Sequence, residues 1–268
     1  MIWMSAPRWS VFSAAALLLL AAASAKVSHT SVRCSAPRDL IRFRVSLPNT
    51  ARAIRSGKGL VIVAIGSSST EGAGASDEAH TYPALLAVEL RRRWPQLSIT
   101  VINKGVGGQV APQMLARFER DVLPYRPHLV IWQTGSNQVL RGGIKGYADT
   151  IRDGITRLKA VGVDIVLMDP QFAPRVLARP IHPLVVDSIG SVANDMNVAV
   201  FQRFAVMRHW ISSGQYKVED IISSDGLHMN DASYSCIAHL LADSIVAAAE
   251  PGVAARQPSE VARDANSR

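Results

Sequence analysis

Leu60-Val-Ile-Val-Ala-Ile65 runs without a break into Gly66-Ser67-Ser68-Ser69-Thr70-Glu71-Gly72. Six apolar residues, mostly β-branched, read as a strand buried on both faces, and the small polar and glycine residues after it read as a tight turn into a helix. The same grammar recurs down the chain. Apolar runs at 99–102, 129–132, 165–168 and 198–201 alternate with amphipathic stretches. Strands alternating with helices predict one α/β domain over residues 59–250, a doubly wound three-layer α/β/α sandwich around a five-stranded parallel sheet.

The helices have readable ends. Thr81 can cap a helix with Pro83 in its first turn and Tyr82, Leu86, Leu90 and Trp94 at four-residue spacing as its buried stripe. A second helix is expected over 112–123, a third through Ile144, Tyr147, Ile151, Ile155 and Leu158, and a fourth over 183–196. Asp231 can cap the last, with Ile237, Leu241 and Ile245 facing inward.

Composition bounds the setting. The 268 residues are 48% hydrophobic, enough for one domain with a full core. Residues 1–25 read as a cleavable export signal: Arg8 precedes an apolar run, which ends at the small-residue site Ala23-Ser24-Ala25. The run is shorter than the roughly 20 apolar residues of a bilayer span, and no later segment is expected to cross a membrane. Export to a periplasmic or secreted location is the expectation. There, Cys34 and Cys236 can pair and staple the N-terminal segment to the last helix.

The net charge of +8 is unevenly spread. Residues 26–58 hold Lys26, Arg33, Arg38, Arg42, Arg44, Arg52, Arg55 and Lys58 against Asp39 alone, whereas residues 59–268 are neutral. This predicts a basic arm on a neutral body, free to lean weakly on an anionic envelope surface. Nucleic acid is a poor partner for an exported chain. The tail, 251–268, has no periodicity and reads as disordered.

Ligands in doubly wound sheets sit outside the carboxyl ends of the strands, and the polar, glycine-rich segments of this chain follow the strands. They are Gly66 to Gly72, Asn103 to Gly108, Gly135 to Gln138 and, after the fifth strand, Asp225-Gly226-Leu227-His228. Neither a phosphate-binding loop with its lysine nor a dinucleotide fingerprint fits the spacing. Acyl transfer does fit, because it needs a nucleophilic hydroxyl, a base, a group to orient the base and donors for the oxyanion. A serine of the first segment, His228, Asp225, glycine amides and an asparagine side chain supply those types. No cofactor or metal is expected; His29, His80, His128, His182, His209 and His239 lack paired ligand spacing. Gln171, after the fourth strand, is a weak candidate to line the cleft, and Trp132 and Trp210 read as core rather than as platforms for sugars.

In this order the segments resemble those of the SGNH hydrolases, the GDSL-like esterase and lipase superfamily of flavodoxin-like sandwiches. The family's Gly-Asp-Ser-x-Thr-x-Gly lies over Gly66 to Gly72 and implies Ser68 as nucleophile. Its second-block glycine falls on Gly108, its Gly-x-Asn-Asp on Gly135 to Gln138, and its Asp-x-x-His on Asp225 and His228. The resemblance implies a Ser68–His228–Asp225 triad and an oxyanion hole from the Ser68 amide, Gly108 and Asn137. Ser67 stands where the name-giving Asp is usual, and Gln138, a weak substrate-contact candidate, replaces the Asp after Asn137. The implied activity is carboxylic ester hydrolysis through an acyl-enzyme, on an O-acetylated polysaccharide or a lipid ester. A non-catalytic glycan-binding module on the same fold is the alternative.

Overall fold

The computed structural model describes Met1, residues 34–141 and residues 143–250. The chain divides into two compact units, residues 1–31 and 32–268. The segments read as an export signal and as a tail lie outside the described residues; the fold below is that of the second unit.

Five parallel strands form one sheet: β1 (Leu60–Gly66), β2 (Ile99–Gly105), β3 (Leu129–Gln133), β4 (Asp164–Met168) and β5 (Ala199–Phe201). Their order is β2-β1-β3-β4-β5. From β1 the chain steps one way to β2, then back across to β3. The switch point at the carboxyl ends of β1 and β3 is where such a sheet leaves room for a ligand. The central strands are buried on both faces, as their branched runs predict: Ile62, Val63, Ala64 and Ile65 of β1 have no exposed surface, nor have Val130, Ile131 and Trp132 of β3.

Helices cover the sheet in two groups. Tyr82–Arg93, which follows β1, packs against the last helix, Asp231–Ala249. Ala111–Leu115, Tyr147–Ala160 and His182–Asp195, which follow β2, β3 and β4, pack against one another. The expected sandwich is thus present. Trp132 and Trp210 lie in its core, the latter donating from Nε1 to the Ser35 carbonyl at 2.8 Å.

Several local expectations are corrected. The helix over 112–123 breaks into Ala111–Leu115, Phe118–Asp121 and a 3-10 turn at Leu123–Tyr125. The break falls at Arg117, whose buried guanidinium is drawn in to the carbonyls of Gly66 and Lys104, at 3.0 and 2.8 Å. Ile144 precedes its helix, which starts at Tyr147. The cap of the last helix is Asn230 rather than Asp231. Asn230 has the extended backbone a cap needs, and its side chain accepts from the Ser233 amide at 3.2 Å. Asp231 instead accepts from the Ser76 amide at 2.8 Å. This last helix is also long and apolar enough to cross a membrane, contrary to expectation, but 67% of the qualifying window is buried inside the fold.

The described part of the basic segment is not a free arm. Phe43 and Leu47 are buried, and a helix at Pro48–Ser56 lays Thr50, Ala51 and Ala53 against the body. The Thr50 amide and the Asn49 side chain both donate to the carboxylate of Asp164 at the start of β4, at 2.7 and 3.0 Å. Arg52 and Arg55 occupy the outer side of that helix. Cys34 and Cys236 are joined as a disulfide, as the cysteine count predicts. Two cavities, of about 570 and 480 Å³, run beside β5; neither is lined by Ser68, His228, Gly108 or Asn137.

Candidate active site

Ser68 opens a one-turn helix, Ser68–Glu71, immediately after β1. At the first helical position its amide has no intrahelical partner, and its side chain is half-buried between the buried Ser67 and Ser69. Ser67 fills the place of the family's usual Asp with a smaller donor. Its amide and hydroxyl both donate to Gln133 Oε1, at 2.9 and 3.0 Å, and the Thr70 hydroxyl joins them at 3.2 Å. Gln133 at the end of β3 therefore holds the serine turn from below.

The loop between the short helix Val218–Ile221 and the last helix brings His228 over that turn. Its Nε2 lies 2.9 Å from Ser68 Oγ, and its Nδ1 is hydrogen-bonded to Asp225 Oδ2. An ionised carboxylate only accepts, so Nδ1 carries the proton and Nε2 presents a lone pair to the serine hydroxyl. Asp225 is fixed in turn: its Oδ1 accepts from the amides of Leu227 and His228, each at 2.9 Å, and from the Ser223 hydroxyl at 2.8 Å. Partial burial pushes its carboxyl upward, but the donors from His228, Leu227 and Ser223 outweigh that and hold it well below the ordinary carboxylate range. Asp225 is therefore ionised at neutral pH.

Opposite, the loop after β2 and the helix after β3 (Ser136–Arg141) meet through Asn137. Its Nδ2 donates to the Gln109 carbonyl at 3.0 Å, beside Gly108. A primary amide has two N–H groups, so one remains for a substrate oxygen. Gly108 has φ +77°, the left-handed backbone that favours glycine; the Arg141 guanidinium, 2.6 Å from where a Cβ would stand, is the end of a flexible side chain and could swing aside. Arg117 ties this loop to the sheet, donating to Gln109 Oε1 at 2.7 Å as well as to the β1 and β2 ends.

The expected site residues Ser68, His228 and Asp225 are therefore linked by hydrogen bonds, with Gly108 and Asn137 on adjoining loops. Two weaker candidates are engaged in contacts within the protein. Gln171 is 1% exposed with both amide atoms engaged inside the protein, and the Gln138 side chain donates to the Gly143 carbonyl. Arg117, Gln133 and Gln171 carry the site's support; the first two were invisible in the sequence, and Gln171 was visible only as a weak candidate to line the cleft. Each acts through contacts across strands, which no local spacing encodes. Chemically, the arrangement can pass a proton from a hydroxyl to an imidazole and present amide donors to a developing negative charge.

A family model described as the Non-GDSL lipase-like family matches residues 33–251. An acetylxylan esterase of Geobacillus stearothermophilus is 29% identical over 136 residues, 44% of this chain and 62% of that protein. An arylesterase of Vibrio mimicus is 24% identical over 168 residues, 59% of this chain and 80% of that one. Among solved structures, a two-domain esterase active on acetylated mannans superposes with a TM-score of 0.64 at 22% identity, covering 74% of this chain and 51% of that one. The acetylxylan esterase Axe2 of Geobacillus stearothermophilus gives 0.59 at 22% identity, covering 70% and 95%. The chain thus spans about half of the two-domain esterase and under two thirds of the acetylxylan esterase it matches by sequence. At these identities the solved structures share the fold.

Proposed function

Because the chain belongs to the Non-GDSL lipase-like family, we propose that it is an exported serine hydrolase of carboxylic esters that removes O-acetyl groups from a polysaccharide. Ser68 is the nucleophile, His228 the general base and Asp225 the group that orients it. The observation that carries the reading is the 2.9 Å contact between Ser68 Oγ and His228 Nε2, backed by Asp225 on the far side of the ring. The relatives named as esterases of acetylated xylan and mannan support the substrate class. So does the openness of the triad: side-chain exposures of 18% for His228 and 41% for Asp225 suit an ester carried on a large polymer.

In this mechanism Ser68 Oγ attacks the acetyl carbonyl carbon while its proton passes to His228 Nε2. The carbonyl oxygen becomes an oxyanion and accepts from the Ser68 and Gly108 amides and from Asn137 Nδ2. Collapse breaks the bond from the acyl carbon to the sugar oxygen, which takes the proton from His228 and leaves as the hydroxyl. Water then repeats the cycle and releases acetate. The disulfide supports an oxidising, extracytoplasmic setting.

A fluorophosphonate probe tests the chemistry: the wild type is expected to be labelled and to hydrolyse nitrophenyl acetate, and Ser68→Ala to do neither. A labelled Ser68→Ala protein would move the nucleophile elsewhere. Acetate release from acetylated xylan or mannan, compared with hydrolysis of longer acyl esters, tests the substrate. Preference for long chains would overturn the polysaccharide assignment.

A further inference from the structure

Beneath the three loops lies one glutamine that touches all of them. Gln171, three residues beyond β4, is 1% exposed. Its Oε1 accepts from the Ser136 hydroxyl at 2.7 Å, from Arg203 Nη2 at 3.1 Å and from the Ser69 hydroxyl at 3.3 Å. Its Nε2 donates to the Leu227 carbonyl at 3.0 Å. Three of these four partners are chain neighbours of residues in the proposed machinery: Ser69 follows Ser68, Ser136 precedes Asn137, and Leu227 precedes His228.

An amide side chain can ordinarily turn over and exchange its oxygen for its nitrogen. Here it cannot. Arg203 is fully buried and has only donors to offer, and it is anchored by its Nε bond to the Asp169 carbonyl at 3.0 Å. Oε1 must face it, which leaves Nε2 aimed at the His228 loop. Two neutral hydroxyls and a carbonyl could each have found other partners, but a fixed cation selects one polarity for the whole cluster.

We propose that Gln171, held in a single orientation by Arg203, is a positioning residue that sets the spacing between the Ser68 turn, the Asn137 helix and the His228 loop; the proposal rests on the hydrolase reading above. Gln171 touches neither substrate nor reacting atoms. Its effect is on the fit of nucleophile, base and oxyanion donors, where a displacement of about 1 Å can cost roughly 10²-fold in rate.

Gln171→Met keeps the volume and removes all four hydrogen bonds. The expected result is a folded protein whose kcat for nitrophenyl acetate falls ten- to hundredfold while KM stays within threefold, and whose fluorophosphonate labelling slows in parallel. Ser69→Ala and Ser136→Ala each remove one contact and are expected to lower kcat two- to fivefold. In the Gln171→Met background, Ser136→Ala is expected to have no further effect, since the contact it removes is already gone. A residue that only filled space would lower the melting temperature without this kcat-against-KM split, and its effect would add to that of Ser136→Ala. Folded Gln171→Met with kcat and labelling within twofold of wild type would overturn the proposal. If that variant fails to fold, unchanged kcat in both serine variants would do the same. An active wild type with either of those results leaves the hydrolase reading standing; a wild type that is neither labelled nor active ends both.

Discussion

Asp225 collects hydrogen bonds from two amides, a hydroxyl and an imidazole, and this ties its ionisation to the folded state. Its carboxyl is held lower in the folded chain than in the unfolded one. The unfolded state therefore binds more protons at acid pH. The stabilisation is fully present above the unfolded value of about 4 and is lost as pH falls through the folded value. Urea midpoints measured between pH 7 and pH 3 are expected to fall less steeply for Asp225→Asn than for wild type. The same substitution is expected to lower kcat by roughly 10³–10⁴-fold, because a neutral amide no longer holds the imidazole with its lone pair toward Ser68. At this scale the proposed reacting groups were legible, since hydroxyl, imidazole and carboxylate types occur at motif spacing. Gln171 was legible only as a residue near a strand end. Its inward orientation depends on Arg203, which lies 32 positions further along and carries no local signal.

Where elements meet, the tightest approach at any described glycine is between the end of β2 and the Ser68–Glu71 turn. A Cβ added at Gly105 would fall 1.9 Å from the Glu71 amide nitrogen and 2.4 Å from its Cα. These are backbone atoms and cannot swing aside. Gly105→Ala is expected to destabilise the fold by about 1–3 kcal/mol in urea unfolding. It is also expected to slow fluorophosphonate labelling, because relief requires the Ser68–Glu71 turn to move. Unchanged labelling would show that strain to be absorbed elsewhere. All five strands were legible as elements: β1, β3 and β4 because strands buried on both faces must be apolar, and the edge strands β2 and β5 through shorter apolar runs. The helix at Pro48–Ser56 was not, because its buried face is built from Thr50, Ala51 and Ala53, which carry little hydropathy beside Arg52 and Arg55. The cap of the last helix was misplaced by one residue because Asn230 and Asp231 are both good cap types, and only the backbone distinguishes them.

Over the whole molecule, the Cys34–Cys236 bridge closes a loop spanning 202 positions. By restricting the unfolded chain, such a closure stabilises by roughly 2–5 kcal/mol. The Cys34→Ser/Cys236→Ser double variant is expected to melt about 5–15 °C below wild type in calorimetry. Reductant should lower the wild type's transition in the same way and leave the variant's unchanged. An equal Tm in wild type and variant would show the bridge to be thermodynamically silent. The pairing was legible because two cysteines allow a single bridge. The docking of residues 34–58 was not, because net charge says nothing about which side chains turn inward.

Ser68 and His228 stand 160 positions apart, and the bridging Cys236 comes later still. A polypeptide interrupted anywhere between the first two would carry Ser68 without the imidazole proposed to activate it. On the proposed mechanism, any product that lacks the segment carrying His228 is expected to be chemically silent, so hydrolytic power arises only once the two distant stretches of chain have both been made and folded together.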